Sequence, residues 1–274
     1  MRVSGALLVA GSLLFFQVVS RAANSVASVS VPTGCFEIED GSVRAKGQMD
    51  LRALNFSPRL QLGLEHLERV VSVLEKYSPE KVDFIIDREG ISFNGYAYFQ
   101  NGERKVKLNL GLLLNRYVTQ DVLALVACHE LGHHFGGAPR EQTPPLSYEG
   151  QADFVATQNC FQYWITHSPL ESGAVVPDTS ITRFCRQLNH GGTSCARTLE
   201  ASGKLAFIFS NFRRQSPPDI FYQDQARVQS TLKDHGTAQC RLDSFRGGYE
   251  YHVKPLFGHK FEFRPRCWYL PSGI

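Results

Sequence analysis

The sequence predicts an α+β fold, in which a few strands gather among helices instead of alternating with them. Three observations carry this reading. Residues 57–77 repeat apolar side chains at helical spacing, residues 81–110 hold three strand-like runs, and helical patterns resume near residue 119. The chain has 274 residues, 43% hydrophobic and 20% charged, with 19 Phe, which excludes a disordered polymer. It carries 29 basic against 26 acidic residues and no concentrated basic run, so no nucleic-acid partner is expected.

Residues 1–22 read as a secretory signal peptide. Arg2 gives the basic start, residues 6–19 the apolar stretch, and Ser20 and Ala22 the small residues before a cut after Ala22. A bilayer span needs about 20 apolar residues, more than this run supplies. Residues 23–274 are therefore expected as a single exported domain, periplasmic or extracellular, monomeric, with no membrane span in the mature chain.

In residues 57–77, Leu60, Leu64, Leu67, Val70, Val71 and Leu74 share one helical face. Ser57 suits the N-cap and Pro58 the first helical position. KVDFIID (81–87) reads as a strand. Runs 96–99 and 105–110 flank Asn101–Gly102, a favoured hairpin pair. In the second run Val106, Leu108 and Leu110 alternate with Lys105, Lys107 and Asn109, and lysines on one face suit an edge strand. A helix over 119–135 stops at Gly136–Gly137. After a loop with Pro139, Pro144 and Pro145, another is expected over about 148–166, with Ser147 as its cap. Beyond Ser168 the periodicity weakens. Helices near 200–213 and 223–234 and a strand-like aromatic tail are expected there. The core is thus about 57–167, followed by a cysteine-rich part, about 168–274.

The chemistry lies in VACHELGHHFGG and YEGQADFVA. His129 and His133, four apart on a helix, project from one face, the bite that a tetrahedral zinc ion takes. Glu130 sits where it could take a proton from water. No third histidine follows at close spacing. Glu149 opens the next helix, where a carboxylate could complete the set, leaving a fourth position open for water as in catalytic sites. Asp153, one turn on, could accept the outer ring N–H of a ligand histidine. His134 points about 100° away from His133 and reads as a helix-end histidine favouring the C-terminal dipole. Gly132 permits close helix packing.

HELGHH followed by EGQAD resembles the gluzincin metallopeptidases, specifically the HtpX and CAAX-prenyl-protease-like clan. The resemblance covers about 110 residues and implies a zincin-like minigluzincin core: helix, small sheet with edge strand, HExxH helix, glutamate helix. It implies one zinc ion per chain held by His129, His133 and Glu149, with Asp153 behind the site. It also implies a secreted zinc endopeptidase that cleaves peptide bonds with zinc-activated water and Glu130 as general base. A peptide or protein substrate would pair with edge strand 105–110. Clan members often carry a His-Pro segment late in the fold; His235, here followed by Gly236, is the corresponding catalytic candidate, with Arg241 nearby and Tyr222 and Tyr249 as rivals. Known members mostly span membranes, so their substrates do not carry over. A zinc amidase acting on cell-wall peptides and a non-catalytic, disulfide-stapled zinc module are the alternatives.

The cysteine count is odd at seven. Cys128, inside an apolar helix beside His129, is expected as an inert buried thiol. Cys35, Cys160, Cys185, Cys195, Cys240 and Cys267 are then the candidates for up to three bridges in an oxidising compartment, their connectivity open.

Overall fold

The computed structural model describes residues 36–39, 42–45, 58–168, 179–187, 192–254 and 260–271. The expected signal peptide and Cys35 lie outside these residues. Among them the architecture is α+β: helices around a small three-stranded sheet, with disulfides.

A two-stranded hairpin, β1 (Phe36–Glu39) with β2 (Ser42–Ala45), comes first. Helix α1 (Pro58–Tyr77) follows the expected bounds to within a residue and buries Leu60, Leu67, Val70 and Leu74. Leu64 and Val71 pack partly buried beside them. Strands β3 (Val82–Asp87), β4 (Gly95–Gln100) and β5 (Glu103–Asn109) form one sheet. Asn101 (φ 53°) and Gly102 (φ 79°) both take the left-handed conformation of the two-residue hairpin turn that Asn–Gly favours.

The strand order corrects one expectation. The sheet runs β3-β5-β4, with β5 parallel to β3 and antiparallel to β4, so β5 is central and β4 is an edge. Lysines do stand on one face of β5, but flanking acids match them: Lys105 Nζ reaches Asp83 at 2.9 Å and Glu103 at 2.7 Å, and Lys107 Nζ reaches Asp87 at 3.2 Å. Alternation reports a sheet's two faces; it says nothing about how many neighbours a strand has.

A 3₁₀ turn (Leu110–Leu114) leads to α2 (Gln120–Phe135), whose N-cap Thr119 accepts from the Val122 N–H at 3.3 Å. Twelve of its 16 residues are buried, so it crosses the middle of the core. Gly137 (φ 74°) takes the left-handed position just past its end. Helix α3 (Glu149–Val155), a π turn (Ala156–Cys160) and α4 (Phe161–His167) continue one another over the expected 148–166. The cap differs: Tyr148 is the N-cap without a side-chain bond, while Ser147 Oγ donates to the Gly137 carbonyl at 2.8 Å.

Helix α5 (Thr179–Gln187) precedes α6 (Thr193–Phe212), which begins before the expected residue 200. Arg197 of α6 grips Asp121 of α2 with two bonds, 2.8 and 2.6 Å, and Trp164 Nε1 donates to the same carboxylate at 2.8 Å. The helix expected at 223–234 is absent: residues 215–237 form an irregular strap held to the C-terminal tail, with Val228 N–H on Arg266 O and Leu232 N–H on Trp268 O. The last helices are α7 (Ala238–Val253) and the short α8 (Lys260–Phe263), where a strand-like tail was expected. Helix α7 runs through the pair Gly247–Gly248. A side chain at Gly248 would run into the Phe154 carbonyl of α3, so the glycine lets the two helices touch.

The bridges are Cys128–Cys160, Cys185–Cys195 and Cys240–Cys267. Cys128 is therefore no free thiol. Successive helical residues diverge by about 100°, so its sulfur leaves α2 on the flank away from His129 and a bridge does not disturb the histidine. No helix of the described residues is long and apolar enough to cross a membrane. Three disulfides fit an oxidising, extracellular-type environment.

Candidate metal centre

Helical spacing on α2 brings His129 Nε2 and His133 Nε2 to 3.2 Å from each other. Helix α3 lies directly against this turn, because a Cβ at Gly132 would stand 2.7 Å from the Ala152 carbonyl. The approach delivers Glu149, whose Oε2 is 3.1 Å from His129 Nε2 and 3.4 Å from His133 Nε2. The Glu149 N–H is itself tied to the Lys233 carbonyl of the strap at 3.1 Å.

The outer nitrogens settle what these atoms offer. His133 Nδ1 donates to the Ser147 carbonyl at 2.7 Å, and His129 Nδ1 faces Asp153 Oδ1 at 2.7 Å. A carbonyl and a carboxylate only accept, so each neutral ring spends its single N–H outward. Both Nε2 atoms then present lone pairs to each other and to Glu149 Oε2, a buried oxygen that gains no donor from them. With both rings neutral, three acceptors crowd together, so the centre calls for positive charge, as a proton on a ring or as a metal ion. Bonds of about 2.0–2.1 Å in a tetrahedron put ligand atoms roughly 3.3 Å apart, and the three separations are 3.1, 3.2 and 3.4 Å. Among the described residues, His129 with Glu130 and His133, and His129 with Glu149 and His235, form groups whose ligand atoms lie within 4.8 Å of one another and could hold a metal ion.

Glu130 stays beside the two histidines, with a carboxylate oxygen within 4.8 Å of a ring nitrogen of each. It is 6% exposed and packs on β4, where a Cβ at Gly95 would stand 2.8 Å from its Oε1. Both line a cavity of about 470 Å³ with an apolar floor of Phe93, Leu112, Val126, Leu205 and Phe209. Burial, reinforced by the nearby Glu149 carboxylate, raises the Glu130 carboxyl above its ordinary value. The strap brings His235 Nε2 to 2.9 Å from Glu149 Oε2, with its ring stacked on His129. Burial, then the Arg241 charge, depresses His235 to about 4.

Arg241 is the group that sequence reading left without a role. It grips Asp153 with Nε at 2.8 Å and Nη2 at 2.7 Å and covers the Phe209 ring at 4.0 Å, while its buried Nη1 has no partner. Burial would raise Asp153, but Arg241 and His129 outweigh it and hold the carboxyl well below its usual range. Burial would likewise lower His129; the Asp153 charge and bond, with Glu149 and Glu130, lift it to about 10, so a metal ion binding Nε2 displaces a proton. Carboxylates thus favour positive charge at the centre. The only sequence signal for Arg241 was its place six residues beyond His235.

The remaining candidates fall away from the cavity. His134 is buried, bonded through Nε2 to the Lys105 carbonyl at 3.0 Å and edge-on to Phe99. Burial lowers its pKa, so it serves as a neutral core group and not as the expected cation at a helix end. Tyr222 is 52% exposed and Tyr249 packs with Cys185 and Cys195; neither lines the cavity. No family model, curated protein or solved structure matches this chain.

Proposed function

We propose that the chain is a zinc-dependent endopeptidase of the gluzincin type. The observation that carries this reading is the buried convergence of His129 Nε2, His133 Nε2 and Glu149 Oε2 at tetrahedral spacing, with Glu130 alongside. Two imidazoles and one carboxylate favour zinc, and a set of three protein ligands is the composition of catalytic zinc sites. Zinc when bound supplies a Lewis acid for the substrate carbonyl and acidifies a water.

The chain's own residues do the rest. Edge strand β4 borders the cavity through Gly95 and Ala97, so an extended peptide adds to it as a further strand; this replaces β5, which has neighbours on both sides. Glu130 takes a proton from water on its buried carboxylate and returns it to the departing amine. Its raised pKa suits that exchange. His235 and Arg241 both line the cavity, and His235 donates to the carbonyl oxygen as charge develops there.

The test is a peptide-library cleavage assay with zinc, with chelator, and with Glu130→Gln. Zinc-dependent cleavage that Glu130→Gln abolishes, with metal retained, supports the reading. Absence of stoichiometric metal in the pure protein overturns it. One observation favours a rival, a closed non-catalytic site: His235 Nε2 lies 2.9 Å from Glu149 and could be a fourth ligand. That rival requires His235→Ala to weaken zinc binding as much as His133→Ala does; the hydrolase reading requires zinc to stay bound.

A further inference from the structure

We propose that the Cys128–Cys160 disulfide is a positioning element of the metal site, and that its oxidation precedes tight metal binding. The inference rests on the metallopeptidase reading and deepens it. The ligands come from two helices: His129 and His133 from α2, Glu149 from α3. Helical periodicity sets the spacing within each helix but not the offset between them. That offset decides whether Glu149 stands 3.1 Å from His129 or out of reach.

The bridge acts on this offset. Cys128 is the residue before His129, and Cys160 closes the π turn of the rod that begins at Glu149. Both are buried, at 0% and 3% exposure, and their Cα atoms stand 5.6 Å apart. With both histidines neutral, the facing acceptors of the two helices repel each other. The non-covalent contacts resisting this are the glycine-thin packing of Gly132 on Ala152, the His129–Asp153 contact, the Gln151 bond to the Gly136 carbonyl and the bond from His133 to the Ser147 carbonyl. A covalent link beside the first ligand holds the offset at no cost to the ligands, since it leaves from the other flank of α2.

The other bridges do not join α2 to the rod that carries Glu149. Cys185–Cys195 joins α5 to α6 in a separate cluster with Ile181 and Leu199, and Cys240–Cys267 fastens α7 to the C-terminal tail. Forming the Cys128–Cys160 bond takes two electrons and two protons from two thiols to a disulfide oxidant such as oxidised glutathione, which leaves as two thiols. A chain still reduced would therefore bind zinc weakly and acquire it tightly after oxidation.

The experiment compares wild type with Cys128→Ala/Cys160→Ala and, as control, Cys185→Ala/Cys195→Ala. Zinc dissociation constants come from chelator competition, the Co²⁺ absorption spectrum reports ligand geometry, and far-UV circular dichroism confirms folding. Both variants lose a bridge and melt earlier. The expected result is an affinity loss of about 10–100-fold, the range typical of lost support for metal ligands, in the first variant alone, with an altered Co²⁺ spectrum. Equal affinities in the two variants would overturn the proposal. Should the first variant not fold, wild type is titrated with glutathione buffers and mapped by alkylation. Metal release tracking Cys128 and Cys160 labelling supports the proposal, and metal retained after that pair is reduced overturns it. Wild type that binds no zinc at all fails the metallopeptidase reading instead.

Discussion

Replacing Arg241 with Met removes the guanidinium that holds Asp153 through bonds of 2.8 and 2.7 Å, while keeping most of the volume over Phe209. Asp153 is 1% exposed, so its carboxylate stays buried with the His129 N–H as its remaining close partner. Breaking one side of a buried pair costs about 3–5 kcal/mol; the surviving His129 contact argues for the lower end, about 3 kcal/mol. Asp153→Asn strands the guanidinium instead, at about 2–3 kcal/mol, part of it recovered by an amide that still accepts one bond. The double variant leaves neither charge uncompensated and should cost about 3–4 kcal/mol, well short of the summed singles. The expected coupling is thus about 2 kcal/mol. Urea unfolding of all four proteins with chelator present, followed by far-UV circular dichroism, measures it. A coupling below about 0.5 kcal/mol, the scale of independent sites, would refute the account of Asp153 as a carboxylate stabilised by Arg241.

Other outcomes follow from the same geometry. Gly95→Ala puts a Cβ 2.8 Å from Glu130 Oε1; metal content should be unchanged while cleavage falls by at least about tenfold, and an unchanged rate would show that Glu130 need not stay where it is. Asp243, buried beside Asp224, has its carboxyl raised to about 6, chiefly by desolvation. A raised acid stabilises the fold when protonated: its contribution is complete below about pH 3.8 and lost as pH rises through about 6. Stability between pH 4 and 7 should therefore contain a fall of about 2 kcal/mol, discounted for partial solvation from roughly 3, that Asp243→Asn abolishes in urea titrations run across that range. Thr119→Ala loses the N-cap of α2 and should lower stability by about 1 kcal/mol in thermal or urea unfolding.

Much of the core was legible because its signals are local. The 57–77 helix, the Asn101–Gly102 turn and the 119–135 helix with its glycine stop each follow from neighbours a few residues apart. Beyond residue 168 the code became long-range. Within α7 the residue at 248 is glycine because the Phe154 carbonyl, far away in sequence, occupies the space a side chain would take. The strap at 215–237 is ordered by bonds to the tail, such as Leu232 to Trp268, and not by any periodicity of its own.

The same division runs through the candidate site. Spacing alone set His129 and His133 on one helical face, Glu130 beside them, and Glu149 and Asp153 one turn apart on the next helix, since the α-helical repeat of 3.6 residues makes those relations independent of the rest of the chain. Packing decided everything that joins one element to another: that β4 and not β5 borders the cavity, that Cys128 meets Cys160, and that Arg241 closes on an aspartate 88 positions away. A helix or strand carries its periodicity in its own residues. Which partner its face meets depends on how the whole core closes, and no short stretch of the chain contains that information.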